Sequence, residues 1–225
     1  MEYYIKRLYR FLEKLSQNND REWFRANRAE YDELRSLWME DLDRLILLMA
    51  KEIPALARQN AKSCAFRIYR DTRFSTDKRP FKDYFSATIN PEGRKPHGAG
   101  YYLQMGPHED NGLYGGIWCP DSKTLNTLRR EIVANIEEFE EALSNPEIEK
   151  LFPSWCGTSL KTAPKGWDKN HPQIELLRLK EYGKFNPCKP EFFLDPSWPE
   201  ISAERLLLLK PFVDFLDYSI SYSAE

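Results

Sequence analysis

Residues 84–118, YFSATINPEGRKPHGAGYYLQMGPHEDNGLYGGIW, decide the fold class. Within them 84–89, 101–105 and 113–118 are short runs rich in aromatic and β-branched side chains. Asn90-Pro91, Gly98 to Gly100, Gly106-Pro107 and Asn111-Gly112 separate these runs, and such residues punctuate strands with turns. Just upstream, Phe66-Arg67-Ile68-Tyr69-Arg70 alternates apolar and polar and reads as a further strand. Consecutive short strands joined by short turns predict an antiparallel meander. No crossover helix lies between them, which argues against a doubly wound nucleotide fold.

Outward from this stretch the period changes from two to three and four. Phe24, Tyr31, Leu34, Trp38, Leu42, Leu45 and Met49 form one stripe, predicting a long helix with an N-cap from Asn18, Asn19 or Asp20 and a limit at Pro54. A shorter helix over about 5–15 precedes it. Downstream, Pro120 and Asp121 open a second long helix whose apolar face is Leu125, Leu128, Ile132, Ile136, Phe139 and Leu143. Seven acids against one base between residues 131 and 150 read as a solvated helix face. A short strand near Leu160, a helical turn after His171-Pro172 and an edge strand from Phe185, Phe192, Phe193 and Leu194 are expected. The last helix covers about 202–218, kinked or divided by Pro211. The expectation is an α+β fold: one domain over 1–225, a central, mainly antiparallel sheet packed with N-terminal, middle and C-terminal helices. Residues 1–60 form its helical part, 61–120 its antiparallel strands and 121–225 helices with short strands.

Composition excludes several classes. Apolar residues make up 41% and aromatics 14% of 225 residues, enough for a buried core and too much for a disordered chain. The longest apolar runs, 45–50 and 206–209, are far short of the roughly 20 residues of a spanning helix. The first 15 residues carry charges throughout and do not read as a secretory signal. A net charge of −2 argues against a general nucleic-acid binder. Cys64, Cys119, Cys156 and Cys188 are scattered, without a Cys-x-x-Cys, so free thiols in a reducing cytoplasm are expected, with no metal site.

One stretch stands out chemically. Between residues 61 and 82, Lys62, Arg67, Arg70, Arg73, Lys78, Arg79 and Lys82 face only two acids, Asp71 and Asp77. Arginines this close repel one another unless an anion lies between them, and the guanidinium fork suits carboxylate and phosphate. Phe66, Tyr69, Phe74 and Phe81 interleave with the charges and predict a packed segment. Ser75 to Pro80 reads as a turn in which Asp77 bonds the backbone. The same residues also allow internal pairs, Arg70 with Asp71 or Arg73 with Asp77, worth about 0–1 kcal/mol each when exposed. No zinc-protease, nucleophile-elbow, P-loop or dinucleotide motif occurs.

The run from Arg67 to Lys82, RIYRDTRFSTDKRPFK, resembles the signature R-x-Y-R-D-x-R-F-S-x-D-K-x-P-Y-K of a large bacterial and fungal family of domains of unknown function. Phe81 departs from it where tyrosine is usual. Gly100-Tyr101-Tyr102, 115–120 (GGIWCP), 128–132 (LRREI), Leu160-Lys161, Pro164-Lys165-Gly166-Trp167, His171-Pro172 and 177–180 (LRLK) match later motifs in order, with Asn170 where an acid is common. The likeness spans Phe11 to Leu216. It implies that Arg67, Arg70, Arg73, Lys78, Lys82, Lys161 and Lys180 are motif positions sharing a ligand-binding surface. It names no reaction and no cofactor.

Three functional readings stand at this point. The first is a basic pocket for a small anionic ligand bearing phosphate or carboxylate, with or without catalysis. His171, which titrates near neutrality, and Asp71, placed to orient the arginines, are the candidates for chemistry. The second is a non-catalytic nucleic-acid- or protein-binding module using Tyr69, Tyr84, Tyr101 and Tyr102. The third is a purely structural arginine network.

Overall fold

A computed structural model describes residues 3–94, 97–108 and 110–222. The fold is α+β, with helices around a five-stranded antiparallel sheet. Helix α1 (Ile5–Gln17) buries Ile5, Leu8, Phe11, Leu12 and Leu15, the spacing of a single helical stripe. The predicted long helix is divided into α2 (Arg21–Ala26) and α3 (Arg28–Ala50). Asp20 caps α2 by accepting the Glu22 and Trp23 N–H groups at 2.8 and 2.9 Å. Asn27 makes the break: its side-chain amide donates to the Trp23 carbonyl at 2.8 Å, competing with the helical ladder. A 3-10 turn at Pro54–Arg58 and the short α4 (Ala61–Cys64) follow.

The meander is present as β1 (Phe85–Ile89), β2 (Gly100–Met105) and β3 (Gly112–Ile117). The alternating run 66–70 is not a regular strand. It forms an irregular ladder with 80–86 in which one isolated bridge, Tyr69 with Phe81, is found among the described residues. The chain bends away after Arg70, so extended-strand parity does not carry on to Asp71 and Arg73.

Beyond the meander come α5 (Ser122–Ala134), capped by Asp121 through the Thr124 N–H at 2.7 Å, then α6 (Ile136–Glu141) and α7 (Pro146–Leu151). The single middle helix of the sequence reading is thus interrupted at Asn135, whose side chain reaches back to the Glu131 carbonyl at 3.1 Å. Next are β4 (Ser154–Trp155), α8 (Ile174–Arg178) and β5 (Tyr182–Pro187). The expected edge strand reaching Leu194 is corrected. Strand β5 lies inside the order β1-β2-β3-β5-β4, and Pro190–Leu194 is a 3-10 turn started by a proline that cannot donate to a ladder. Near Leu160 there is a single bridge, Ser159 with Leu179. Helices α9 (Trp198–Leu208) and α10 (Lys210–Tyr222) divide just before Pro211, as its missing N–H requires.

The contacts cluster into two compact units. The first comprises the chain up to residue 94, Tyr102–Leu113 and Pro187–Glu204. Its core is built on α3: Trp38 is fully buried, donates to the Met105 sulfur at 2.9 Å and packs 5.0 Å from Phe85. The second comprises residues 97–101, Tyr114–Asn186 and the chain from Arg205. Its centre is an aromatic cluster in which Phe139 meets Phe215, Phe212 and Trp155 at 5.4, 6.0 and 6.2 Å. All four cysteines are free thiols. Among the described residues no helix is long and apolar enough to cross a membrane.

Buried phenols give the fold a pH limit. Burial pushes Tyr102 and Tyr182 up to about 12, and raises Tyr101 and Tyr114 as well. An unfolded chain ionises these groups near 10. Because the folded pKa is the higher one, their contribution is complete below pH 10 and is lost as pH rises through 10 to 12. Tyrosinate absorbance at 295 nm is expected to rise together with loss of far-UV circular dichroism. Full ionisation near pH 10 with the dichroism intact would contradict the burial.

Candidate anion-binding site

The basic segment is held by three backbone hydrogen bonds: Phe66 N–H to Ser86 O and Arg70 N–H to Pro80 O, both 2.9 Å, and Lys82 N–H to Ile68 O at 2.8 Å. One side of this ladder is anchored. Phe81 is buried and stacks on Phe24 of α2 at 4.2 Å, with Tyr69 5.1 Å from Phe81. Asn19 clamps the Phe81 backbone, donating to its carbonyl at 3.1 Å and accepting its N–H at 3.0 Å. Phe81 therefore serves through its ring, and the hydroxyl usual at this position is not needed for that packing.

The residue opposite Ile68 is Lys82. Its ammonium lies over two rings, 5.0 Å from the centre of Phe66 and 5.4 Å from that of Tyr84. Burial, then the positive charges of Arg67 and Arg70, hold its pKa below the ordinary lysine value. Among the described residues no carboxylate forms an ion pair with Lys82 or Arg67. Arg70 is partly buried and donates to Asp77 at 2.6 Å, but Asp77 is shared with Arg79, which binds it through Nε and Nη2. Asp77 also accepts the Arg79 backbone N–H at 3.0 Å, the turn bond the sequence indicated. The Arg79 side chain and then its N–H hold the Asp77 carboxyl below the usual range.

The other candidates in this segment have different surroundings. Arg73 is bound by both oxygens of Asp71, at 2.9 and 2.6 Å, and is 77% exposed. Asp71 is correspondingly held at about 2 by the Arg73 side chain. The observed pairs, Arg70–Asp77 and Arg73–Asp71, are the reverse of those the linear order suggested, because the bend after Arg70 folds each partner back. Lys78 donates to the Thr72 carbonyl at 2.9 Å and is exposed. Lys82 thus feels the charges of Arg67 and Arg70, Arg70 pairs with Asp77, and Arg73 and Lys78 are engaged in the loop.

Lys161, Lys180 and His171 belong to the second unit. Lys161 and Lys180 are exposed, flanking the bridge between Ser159 and Leu179. His171 accepts the Gln173 N–H at Nδ1 over 3.1 Å and meets Trp167 edge-on at 5.4 Å. That bond occupies one ring nitrogen in the turn before α8, leaving Nε2 for any proton exchange.

The family model of conserved hypothetical proteins, DUF2461, matches residues 7–215. The chain belongs to the DUF2461 family. No curated protein and no solved structure matches it. For this DUF2461 chain, sequence reasoning found the charged run but not its internal sorting. The double use of Asp77 was foreshadowed only by its turn signal. The aromatic bed of Lys82 depends on Phe66 and Tyr84 lying across the ladder from each other, which a linear reading does not show. A buried cation, Arg129 of α5, was passed over because its neighbours in sequence look like an ordinary helix.

Proposed function

We propose that the protein binds a small anionic ligand, bearing phosphate or carboxylate, at the Arg67–Arg70–Lys82 cluster. One observation supports this reading: the half-buried Lys82 ammonium lies over two rings, feels the charges of Arg67 and Arg70, and forms no ion pair of its own with a carboxylate among the described residues. Holding like charges together in a partly desolvated place is costly, and an anion between them removes the cost. Arg67 and Arg70 supply planar donors and Lys82 a point charge on a rigid aromatic bed, a combination that suits a phosphate or carboxylate head. The reading names no reaction.

The test is calorimetry and thermal shift with inorganic phosphate, pyrophosphate and citrate. At least one is expected to raise the melting temperature with concentration, as a ligand of the folded state must. Lys82→Gln and the exposed Arg67→Gln should each weaken binding at least tenfold, and Arg73→Ala should leave it within twofold. Equal loss in Arg73→Ala, or no stabilisation by any of the three anions at tens of millimolar, would remove the proposal.

A second reading has its own observation. Phe74 is 94% exposed, with the Arg73 guanidinium 5.8 Å from its ring centre, and Tyr69 is 43% exposed nearby in sequence. Exposed aromatics beside arginine suit stacking by single-stranded nucleic acid. That reading requires oligonucleotide binding that falls steeply with salt and is lost in Phe74→Ala.

A further inference from the structure

We propose that the second unit carries a ligand site of its own, built for a phosphate attached to an aromatic ring, as in a mononucleotide. Asn126, Arg130, Lys165, Gly166 and Trp167 line a recess of about 370 Å³, within the size range of small-molecule sites. Two elements build it. Helix α5 presents Asn126 and Arg130 one turn apart on one face. The turn closed by Trp167 N–H to Pro164 O, at 3.1 Å, presents the other three. Gly166 has φ +89°, which side-chain-bearing residues rarely adopt, and a Cβ there would meet nothing within 4 Å. The glycine is therefore required by the turn and leaves its backbone open.

The charges in this place are unbalanced. Among the described residues Arg130 bonds the Asn126 carbonyl, at 3.3 Å, and the Thr127 hydroxyl, at 3.5 Å. Among the described residues neither it nor Lys165 has a carboxylate partner. Behind them Arg129 is only 5% exposed. Its Nη1 donates to the Asn126 side-chain oxygen at 3.2 Å, so it adjoins the recess through one of the lining residues. Its Nη2 donates to the Leu179 carbonyl at 3.1 Å, and among the described residues its Nε meets no acceptor. A buried guanidinium with no carboxylate is expensive. An anion seated between Arg130 and Lys165 supplies the missing charge, and Asn126 links it to Arg129.

The same recess also offers an aromatic surface. Trp167 is partly exposed and meets the His171 ring in a T-shaped contact at 5.4 Å and 87°. An indole beside two unpaired cations suits a ligand that joins a planar ring to an anion, with the ring on Trp167 and the phosphate on Arg130 and Lys165.

Calorimetry on the full chain with adenosine monophosphate, inorganic phosphate and adenosine tests this. Adenosine monophosphate is expected to bind at least tenfold more tightly than either fragment. Arg130→Ala/Lys165→Ala, both at exposed positions, should lose at least tenfold for the monophosphate and leave adenosine unchanged. Trp167→Ala should reduce the monophosphate to the affinity of inorganic phosphate. Lys82→Gln, which disables the cluster of the first unit, should leave the monophosphate's advantage over adenosine and its loss in Arg130→Ala/Lys165→Ala intact. Loss in Lys82→Gln but not in Arg130→Ala/Lys165→Ala overturns the second site while sparing the first. Monophosphate affinity no better than that of phosphate, or no binding at millimolar ligand, also overturns it.

Discussion

Gly116→Ala is expected to destabilise the protein by about 3–5 kcal/mol, the largest effect of any single methyl addition proposed here. Gly116 lies near the end of β3 at φ +138°. A Cβ there would overlap the Tyr182 carbonyl oxygen of β5 and stand 2.6 Å from the Gly183 Cα. Backbone meets backbone, so no side chain can rotate away, and relief requires β3 and β5 to separate. Gly166→Ala is the control: it also has a positive φ, +89°, with nothing within 4 Å for the methyl to strike. Its cost should be only about 1–2 kcal/mol, the backbone term alone. Urea unfolding of both variants separates the two contributions. If they lose equal stability, the close approach of these strands is wrong.

Asp41→Ala should cost about 2–4 kcal/mol, because it strips the acceptor from a buried polar cluster. Asp41 is 8% exposed in the middle of α3. It accepts a short hydrogen bond from the Tyr3 hydroxyl and one of 2.8 Å from that of Tyr4. The Tyr3 oxygen in turn accepts the Trp198 indole N–H at 2.9 Å. Arg44 lies 3.4 Å from the carboxylate, at the exposed rim. Removing the carboxylate takes the acceptor from the buried Tyr4 hydroxyl and from the part-buried Tyr3 hydroxyl. Burial and Asp41 raise the pKa of both tyrosines, as expected of phenols committed as donors. In the Tyr3→Phe/Tyr4→Phe background the same Asp41→Ala change should cost at least 1 kcal/mol less, a coupling that a double-mutant cycle measures. An Asp41→Ala variant within 0.5 kcal/mol of the parent would show that the cluster contributes nothing.

Much of the fold was legible in the sequence, and the failures share one cause. The strands of the meander and the stop before Pro211 follow from local chemistry: turn residues between β-formers, and an imino acid that cannot donate. Both helix divisions were missed because asparagine at positions 27 and 135 interrupts the ladder with its own side chain, while the apolar stripe runs on past it. Hydrophobic period reports which face is buried and is blind to whether the backbone pauses. Residues 66–70 misled in the opposite way. Their alternation is real, but among the described residues only one isolated bridge forms, since the chain turns off after Arg70.

For the candidate site the division is sharper. Local composition alone established that positive charge is concentrated in one stretch of a slightly acidic chain, that aromatics interleave with it, and that Asp77 sits in a turn. The motif residues, read in order, also suggested a family of unknown function, and the family model over residues 7–215 shows the membership. Which cation meets which carboxylate was decided by tertiary structure. Asp71 and Asp77 are six positions apart, and the bend between them determines that Arg73 is neutralised at the surface and Arg70 shares a carboxylate with Arg79. Electrostatic energy depends on distance and desolvation in space, and neither is a property of sequence separation. The same reason hid Arg129: a charge on a helix is ordinary until packing removes its water and brings no counter-charge in return.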